Sequence, residues 1–427
     1  MNNEKGGYPI DMYTFFFDES FHDRVIRINE NGDFNTLRNE ALDNYIGVFW
    51  GCKNSELISN RNIIRKFEDR QKKRYGLSDD QELKSTTIGK KNFIYGIRSF
   101  NKNTMEFYTE FFTMLDALNP VLQINMVSKM ELYLRSALRG LEYLGHGRLL
   151  ENSFYYSLTK FMLTYHNEEL VKTLYDVHDY KSMIEFKEKL EYNFECILDA
   201  TKEIVRKEKE IEAFKNILYI LKESQINELP EREYGFQYTI NFGGLCNLLE
   251  EKHIRSEDVS LVIDEEKRTY EAAKKFDFQD VRCGKSDKIL ELRVSDWLAT
   301  FIGRMIYGLY HDRDIEEDHV TDIRKVYEND LERKRILSKD WFDINEAQFN
   351  LYHLLYEVLI IGHTEYWTCM TLSYGDQSSV FYTLIRYFSG YTDFEQYQKV
   401  DAKLHSEYFN SSCCVELERA YCNFYKV

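Results

Sequence analysis

The sequence predicts an α/β fold: a mixed sheet core carrying a large helical insertion and followed by a helical C-terminal region. Three observations point there. Short runs rich in aromatic and β-branched residues fall in two separate blocks, one near the start and one around Val259 to Asp264. Between them, from about Lys129 to Ser224, apolar residues recur at spacings of three and four, the period of a helix. Beyond about Asp314 the chain again reads as helical and aromatic.

Taken in order, Tyr13 to Phe17 is a strand ending in Asp18-Glu19-Ser20. Arg24 to Asn29 alternates with period two and is followed by the turn signal Asn31-Gly32. Tyr45 to Trp50 is a third strand, so the chain is expected to open as a meander. Ser55 is placed to cap a helix that runs to about Tyr75 and stops at Gly76. Asn103 to Leu118 reads as a helix stopped by Asn119-Pro120, and Val121 to Val127 as the next strand. After the helical stretch, Val259 to Asp264 is a β-branched run ending in an acid. Ile289 to Tyr310 starts extended and becomes an amphipathic helix. The expected organisation is a core from 10–128 and 255–312, an insertion over 129–254 and a C-terminal region over 313–427. A sheet can close across such an insertion because the entropic cost grows only logarithmically with loop length.

Composition narrows the class. The chain has 427 residues, a net charge of −16, 15% aromatic residues and only three prolines. An acidic protein repels nucleic acid and anionic membranes, so a nucleic-acid partner requires a local basic surface. Eight cysteines without a framework spacing suggest a reducing compartment, and no basic segment followed by an apolar one opens the chain, so a cytoplasmic protein is expected. The longest apolar stretch, Trp297 to Tyr310, is interrupted by Arg304, which argues against a membrane span. Neither a phosphate-binding Gly-x-x-x-x-Gly-Lys-Ser/Thr loop nor a Gly-x-Gly-x-x-Gly turn is present.

Four acids stand out by position. Asp18 and Asp264 end strands, where α/β sheets place functional side chains. Glu82 lies in Gln81-Glu82-Leu83-Lys84 after the first helix, and Asp296 is flanked by Val294, Trp297 and Leu298 at the start of an apolar helix. A carboxylate in such surroundings needs a partner, and a divalent cation is one. Oxygen ligands alone select hard cations, Mg²⁺ or Mn²⁺. Two such ions about 4 Å apart support phosphodiester hydrolysis. An Asp after a strand is equally an ordinary turn former.

The runs Phe15-Phe16-Phe17-Asp18-Glu19-Ser20, Glu82-Leu83-Lys84, Val262-Ile263-Asp264 and Leu292-Arg293-Val294-Ser295-Asp296 together resemble a large prokaryotic family of uncharacterised proteins predicted to be RNase H-like. The resemblance covers roughly 12–310 without the insertion. It implies an RNase H-like mixed sheet and a metal-dependent nuclease, with Asp18 bridging the ions, Glu82, Asp264 and Asp296 completing the cage, and Lys84 holding the scissile phosphate. A role as a host-defence effector would follow by analogy. Arg293 stands where the family usually has Gln, and Ser295 where it often has Ala. Glu19, adjacent to Asp18 in a strand, is expected to point to the other face of the sheet.

The required basic surface has a candidate. Arg61 to Arg98 holds eleven Lys/Arg against five Asp/Glu, with Lys72, Lys73, Arg74, Lys90 and Lys91 as expected backbone contacts. Two alternatives remain open. One is a helical Arg/His ribonuclease of the HEPN type, for which Arg139 with His146, Arg304 with His311, and Arg313 with His319 have the spacing. The other is a non-catalytic interaction protein whose helical regions bind a protein partner and whose core is degenerate.

Overall fold

The computed structural model describes residues 11–20, 28, 30, 32, 44–142, 148–204, 207–229, 239–317, 336–361, 367–369 and 375–425. Two strands open it, β1 (Tyr13–Ser20) and β2 (Asn44–Lys53), followed by helices α1 (Leu57–Tyr75) and α2 (Lys102–Leu118) and strand β3 (Val121–Ser128). Helices α3 (Lys129–Ala137), α4 (Arg148–Tyr165), α5 (Glu168–Tyr175), α6 (Tyr180–Thr201), α7 (Glu208–Glu223) and α8 (Thr239–Glu251) come next. Then follow β4 (Val259–Asp264), α9 (Lys267–Ala273), β5 (Asp280–Gly284) and the long α10 (Leu292–Glu317). The last part contains α11 (Glu346–Tyr356), β6 (Trp367–Cys369), α12 (Gly375–Ser389), α13 (Phe394–Tyr397) and α14 (Ala402–Tyr425).

The strands form one mixed sheet in the order β5-β4-β1-β2-β3-β6. Strand β2 runs antiparallel to β1 and β3, while β4 is parallel to β1, β5 to β4 and β6 to β3. The expected α/β core with added helices is therefore present. Expected strands Tyr13 to Phe17, Tyr45 to Trp50, Val121 to Val127 and Val259 to Asp264 are β1 to β4. The expected strand Arg24 to Asn29 lies outside the described residues, Ile28 excepted.

Pleating divides the sheet into two apolar faces. Phe16, Val48, Trp50, Ile124, Met126 and Val262 point to one, against α1, α2 and α10. Phe15, Phe17, Phe49, Leu261 and Ile263 point to the other, against α8 and α9. Gly51 lets the Phe15 ring lie across β2; a Cβ there would stand 2.5 Å from a ring carbon. Helix α1 ends as expected at Gly76, whose φ of 68° is the left-handed conformation of a C-cap. Ser55 does not cap α1; it belongs to a 3₁₀ turn, Asn54–Glu56, that leads into the helix.

The expected divisions need two adjustments. Helices α3, α4, α5, α6 and α7 do share a core of their own, built around Leu134, Phe161, Phe186, Phe194 and Phe214. Helix α8, however, packs on the sheet through Phe242, Leu245 and Leu249, so the insertion gives way to the core before residue 254. The C-terminal region is not only helical: β6 extends the sheet beside β3. Its Trp341, Phe349, Tyr352, Phe388 and Phe409 join the same apolar cluster as Trp50 and Trp297. Among the described residues no helix is long and apolar enough to cross a membrane.

Candidate functional site

The sheet brings Asp18 and Asp264 together. Phe17 and Ile263 are partners in the parallel β1–β4 ladder, so the next residues leave the two strands side by side. By alternation both acids share the face of Phe16 and Val262, the face that α10 covers. Helix α10 is pinned there: the Ser295 hydroxyl donates to the Phe16 carbonyl at 3.0 Å, two residues from Asp18. That contact brings the neighbouring Asp296 to the carboxyl end of β1.

A loop from Glu82 to Ser85 closes the arrangement. The Trp297 indole N–H donates to the Leu83 carbonyl at 2.9 Å. Ser85 donates twice to Asp296, from its hydroxyl to Oδ1 at 2.7 Å and from its backbone N–H to Oδ2 at 3.2 Å. Thr300, one turn on, donates to Oδ1 at 3.3 Å. Asp296 is thus oriented on both oxygens. Glu82 lies beside it, with Oε1 3.8 Å from the Arg293 guanidinium and Oε2 3.9 Å from the Lys84 ammonium.

Electrostatics tie these acids together. Burial first, then the charges of Asp296 and Glu19, and more weakly Asp264, push the Asp18 carboxyl well above the usual carboxylate range. Only the Glu19 N–H, 2.7 Å from Oδ1, works the other way. Burial also raises the Asp296 carboxyl, against the hydrogen bonds from Ser85 and Thr300. Glu19 points to the opposite face, as strand alternation requires. There it accepts from Thr269 of α9 at 3.5 Å, and burial with the charges of Glu266 and Asp264 pushes it to about 8.

The donor set suits a hard cation: aspartate oxygens whose mutual repulsion a positive charge would relieve. In geometry the site is not preassembled. Among the described residues no three His, Cys, Asp or Glu side chains converge closely enough to hold one ion.

The basic strip is only partly a surface. Lys72 is a correction. Its ammonium is buried, 3.5 Å from Glu68, and donates to the Asp79 carbonyl at 3.0 Å. A cation committed to a carboxylate and a backbone oxygen inside the protein does not reach a phosphate. Arg74 is engaged with Glu106 at 3.1 Å and Glu110 at 2.6 Å. Lys73, Lys84, Lys90 and Lys91 are exposed. The segment carrying Lys90 and Lys91 runs along α10 away from Asp296, since the Ile88 carbonyl meets Arg304. Asp296 and Arg304 are eight positions apart, roughly 12 Å along the helix.

The helical Arg/His alternative loses one of its pairs. Arg304 is buried, bonded to the Ile88 carbonyl and stacked over Phe93. It is a core cation and not a substrate-facing one. Arg139 is exposed, 3.5 Å from Glu228. His146 and His319 lie outside the described residues, and the side chains of His311 and Arg313 are not among those described.

Three residues that matter for the geometry carry little sequence signal. Ser85 and Thr300 are ordinary hydroxyl residues in sequence, and their role exists only through Asp296. Arg293 is visible as a departure from the resembled family, yet nothing local names its partners. Comparison with family models, with curated proteins and with solved structures found no match to this chain.

Proposed function

We propose that the chain is a metal-dependent nuclease that hydrolyses phosphodiester bonds on an RNase H-like core, using Mg²⁺ or Mn²⁺ held by carboxylates. One observation carries the reading. Asp18 lies near Asp264 of the next strand and near Asp296 of α10, three elements distant in sequence, and their charges add to the burial that raises its carboxyl. Unrelieved like charge in a folded protein costs stability, and it persists where a cation is to be bound. The strand order supports the fold assignment: a first strand lies between an antiparallel second strand and a parallel fourth, with third and fifth strands outside them. This is the arrangement of RNase H-like sheets.

A divalent cation held by Asp18, Asp264 and Asp296 would supply an activated water and charge neutralisation for hydrolysis. The chain's own residues do the rest. Asp18, on which the charges of both Asp264 and Asp296 act, would be the ligand they share. Ser85 and Thr300 fix the rotamer of Asp296. Lys84, exposed at the rim beside Glu82, meets the phosphate, and Lys73, Lys90 and Lys91 take the backbone further out.

The test is cleavage of labelled single-stranded, double-stranded and hybrid nucleic acids by wild type and Asp264→Asn, in Mg²⁺, Mn²⁺ and EDTA. The proposal expects metal-dependent cleavage that the substitution abolishes. Cleavage that survives both EDTA and the substitution would refute it. A second reading, a non-catalytic interaction protein, is favoured by the lack of three converging ligands among the described residues. It expects no cleavage and no thermal response to Mn²⁺.

A further inference from the structure

We infer that the outer face of α1 is a docking surface for the phosphate backbone of a nucleic-acid duplex. The inference rests on the nuclease reading above, in that it takes the partner to be the substrate.

Charge sets α1 apart. The chain carries a net charge of −16, yet this helix holds seven Lys or Arg against two Asp or Glu. Among the other described helices none has a basic excess above one. Burial sharpens the contrast. Ile64, Phe67, Glu68, Gln71 and Lys72 are buried and fix the helix from its inner side. Arg61, Arg65, Lys66, Arg70 and Lys73 are exposed, with Asp69 the one exposed acid of the helix. Lys66 and Lys73, seven positions apart, fall in one line along the outer side, with Arg65 and Arg70 flanking it. From Arg61 to Lys73 the face covers roughly 18 Å.

Two of these cations are already matched, Arg61 by Glu291 at 2.5 Å and Arg70 by Glu110 at 3.0 Å. Arg65, Lys66 and Lys73 have no ion pair among the described residues. The segment after the helix is mixed, with Asp79 and Asp80 exposed as well as Lys84, Lys90 and Lys91, so the positive charge concentrates on α1. The helix also borders the aspartates. Arg61 meets Glu291 and Glu68 meets Arg293, five and three positions before Asp296.

A rigid basic face on an acidic protein selects a polyanion. The side chains around it select a duplex. Proteins that hold single strands add aromatic rings on which unpaired bases stack, whereas a duplex keeps its base faces inside and presents closely spaced phosphates. The exposed aromatic residues among those described are Tyr175, Tyr180, Tyr192, Tyr219 and Tyr408. None lies on α1 or on the segment from α1 to α2. There Phe93 is in the core, and Tyr75 and Tyr95 are half-buried.

The test is fluorescence anisotropy of the full chain in EDTA, from low to moderate salt. The probes are a mixed-sequence DNA duplex, the RNA duplex of the same sequence and one labelled DNA strand. Wild type is compared with Arg65→Gln/Lys66→Gln/Lys73→Gln and with the equally charged control Lys215→Gln/Lys252→Gln/Lys275→Gln. All six side chains are exposed, and circular dichroism verifies folding. The expected result is binding of at least one duplex about tenfold tighter than the single strand. The α1 variant should lose about tenfold or more of that affinity and lower the slope of log K against log salt by about 2 to 3, while the control stays within about twofold of wild type. No duplex binding, single-strand binding as tight as duplex binding, or an equal loss in the control would overturn the inference. So would binding to phosphatidylserine vesicles in place of the duplexes. Because EDTA separates binding from cleavage, duplex binding through α1 without any metal-dependent cleavage would support this surface and sink the nuclease reading. Metal-dependent cleavage that the α1 variant leaves unchanged, with duplex affinity also unchanged, would do the reverse.

Discussion

Replacing Glu19 with Gln should make the protein more stable at neutral pH, and the gain should depend on pH. In the native state burial and the charges of Glu266 and Asp264 move this acid from 4.5 to about 8. The unfolded chain gives up the proton near 4.5, so between there and 8 the native state binds more protons than the unfolded one. Stability contributed by the protonated acid is fully present below pH 4.5 and is lost as pH rises through about 8. At about 1.4 kcal/mol per pH unit, the loss between pH 4.5 and 7 is about 3 kcal/mol. Gln keeps an acceptor for the Thr269 hydroxyl and has no proton to lose. Urea unfolding of both proteins in EDTA at pH 5, 6, 7 and 8 measures the difference directly. The variant's advantage should grow by a few kcal/mol over that range, with unchanged m-value. A difference that is flat in pH would refute the argument, because it would mean that Glu19 titrates normally in the native state.

Three further outcomes follow from the same geometry. Mn²⁺ at a hundredfold excess over its Kd should stabilise the wild type by about 2.7 kcal/mol, a rise of a few degrees in Tm by scanning calorimetry, and Asp18→Asn should remove the response. Lys90→Ala and Lys91→Ala should each weaken nucleic-acid binding across all sequences and lower the slope of log K against log salt by about one, as read by fluorescence anisotropy. Gly96→Ala should cost about 2–4 kcal/mol in urea unfolding, because Gly96 has φ of 56° and a Cβ would fall 2.4 Å from the Trp341 ring.

Much of the central sheet was legible because its strands announce themselves. Four of them are runs of five residues or more rich in aromatic and β-branched residues. Strand β5, Asp-Val-Arg-Cys-Gly, was not, since an outer strand buries little and needs no apolar pattern. Strand β6 has three residues, too few to show a period. Asp18, Asp264 and Asp296 could be chosen from their positions near strand and helix ends, whereas Glu82 lies in a loop and was chosen through the resemblance. Lys72 could not be told from Lys73: on α1 the pair differ only in which side of the helix meets Glu68 and the Asp79 carbonyl.

By itself the sequence determined the local alternations: which residues of each strand pair off on a face, where helices run, and which acids sit at the ends of apolar elements. These are short-range properties, set by backbone geometry and by the period of apolar residues. Only the tertiary structure decided which of those acids share a face and which cations they meet. Asp18 faces Asp264 and Asp296 because β4 pairs in register with β1 and Ser295 ties α10 to the Phe16 carbonyl. Glu82 meets Arg293 because the Leu83 and Ser85 bonds fix a loop more than 200 positions away in sequence. Such contacts arise from packing between remote segments, and no local spacing encodes them.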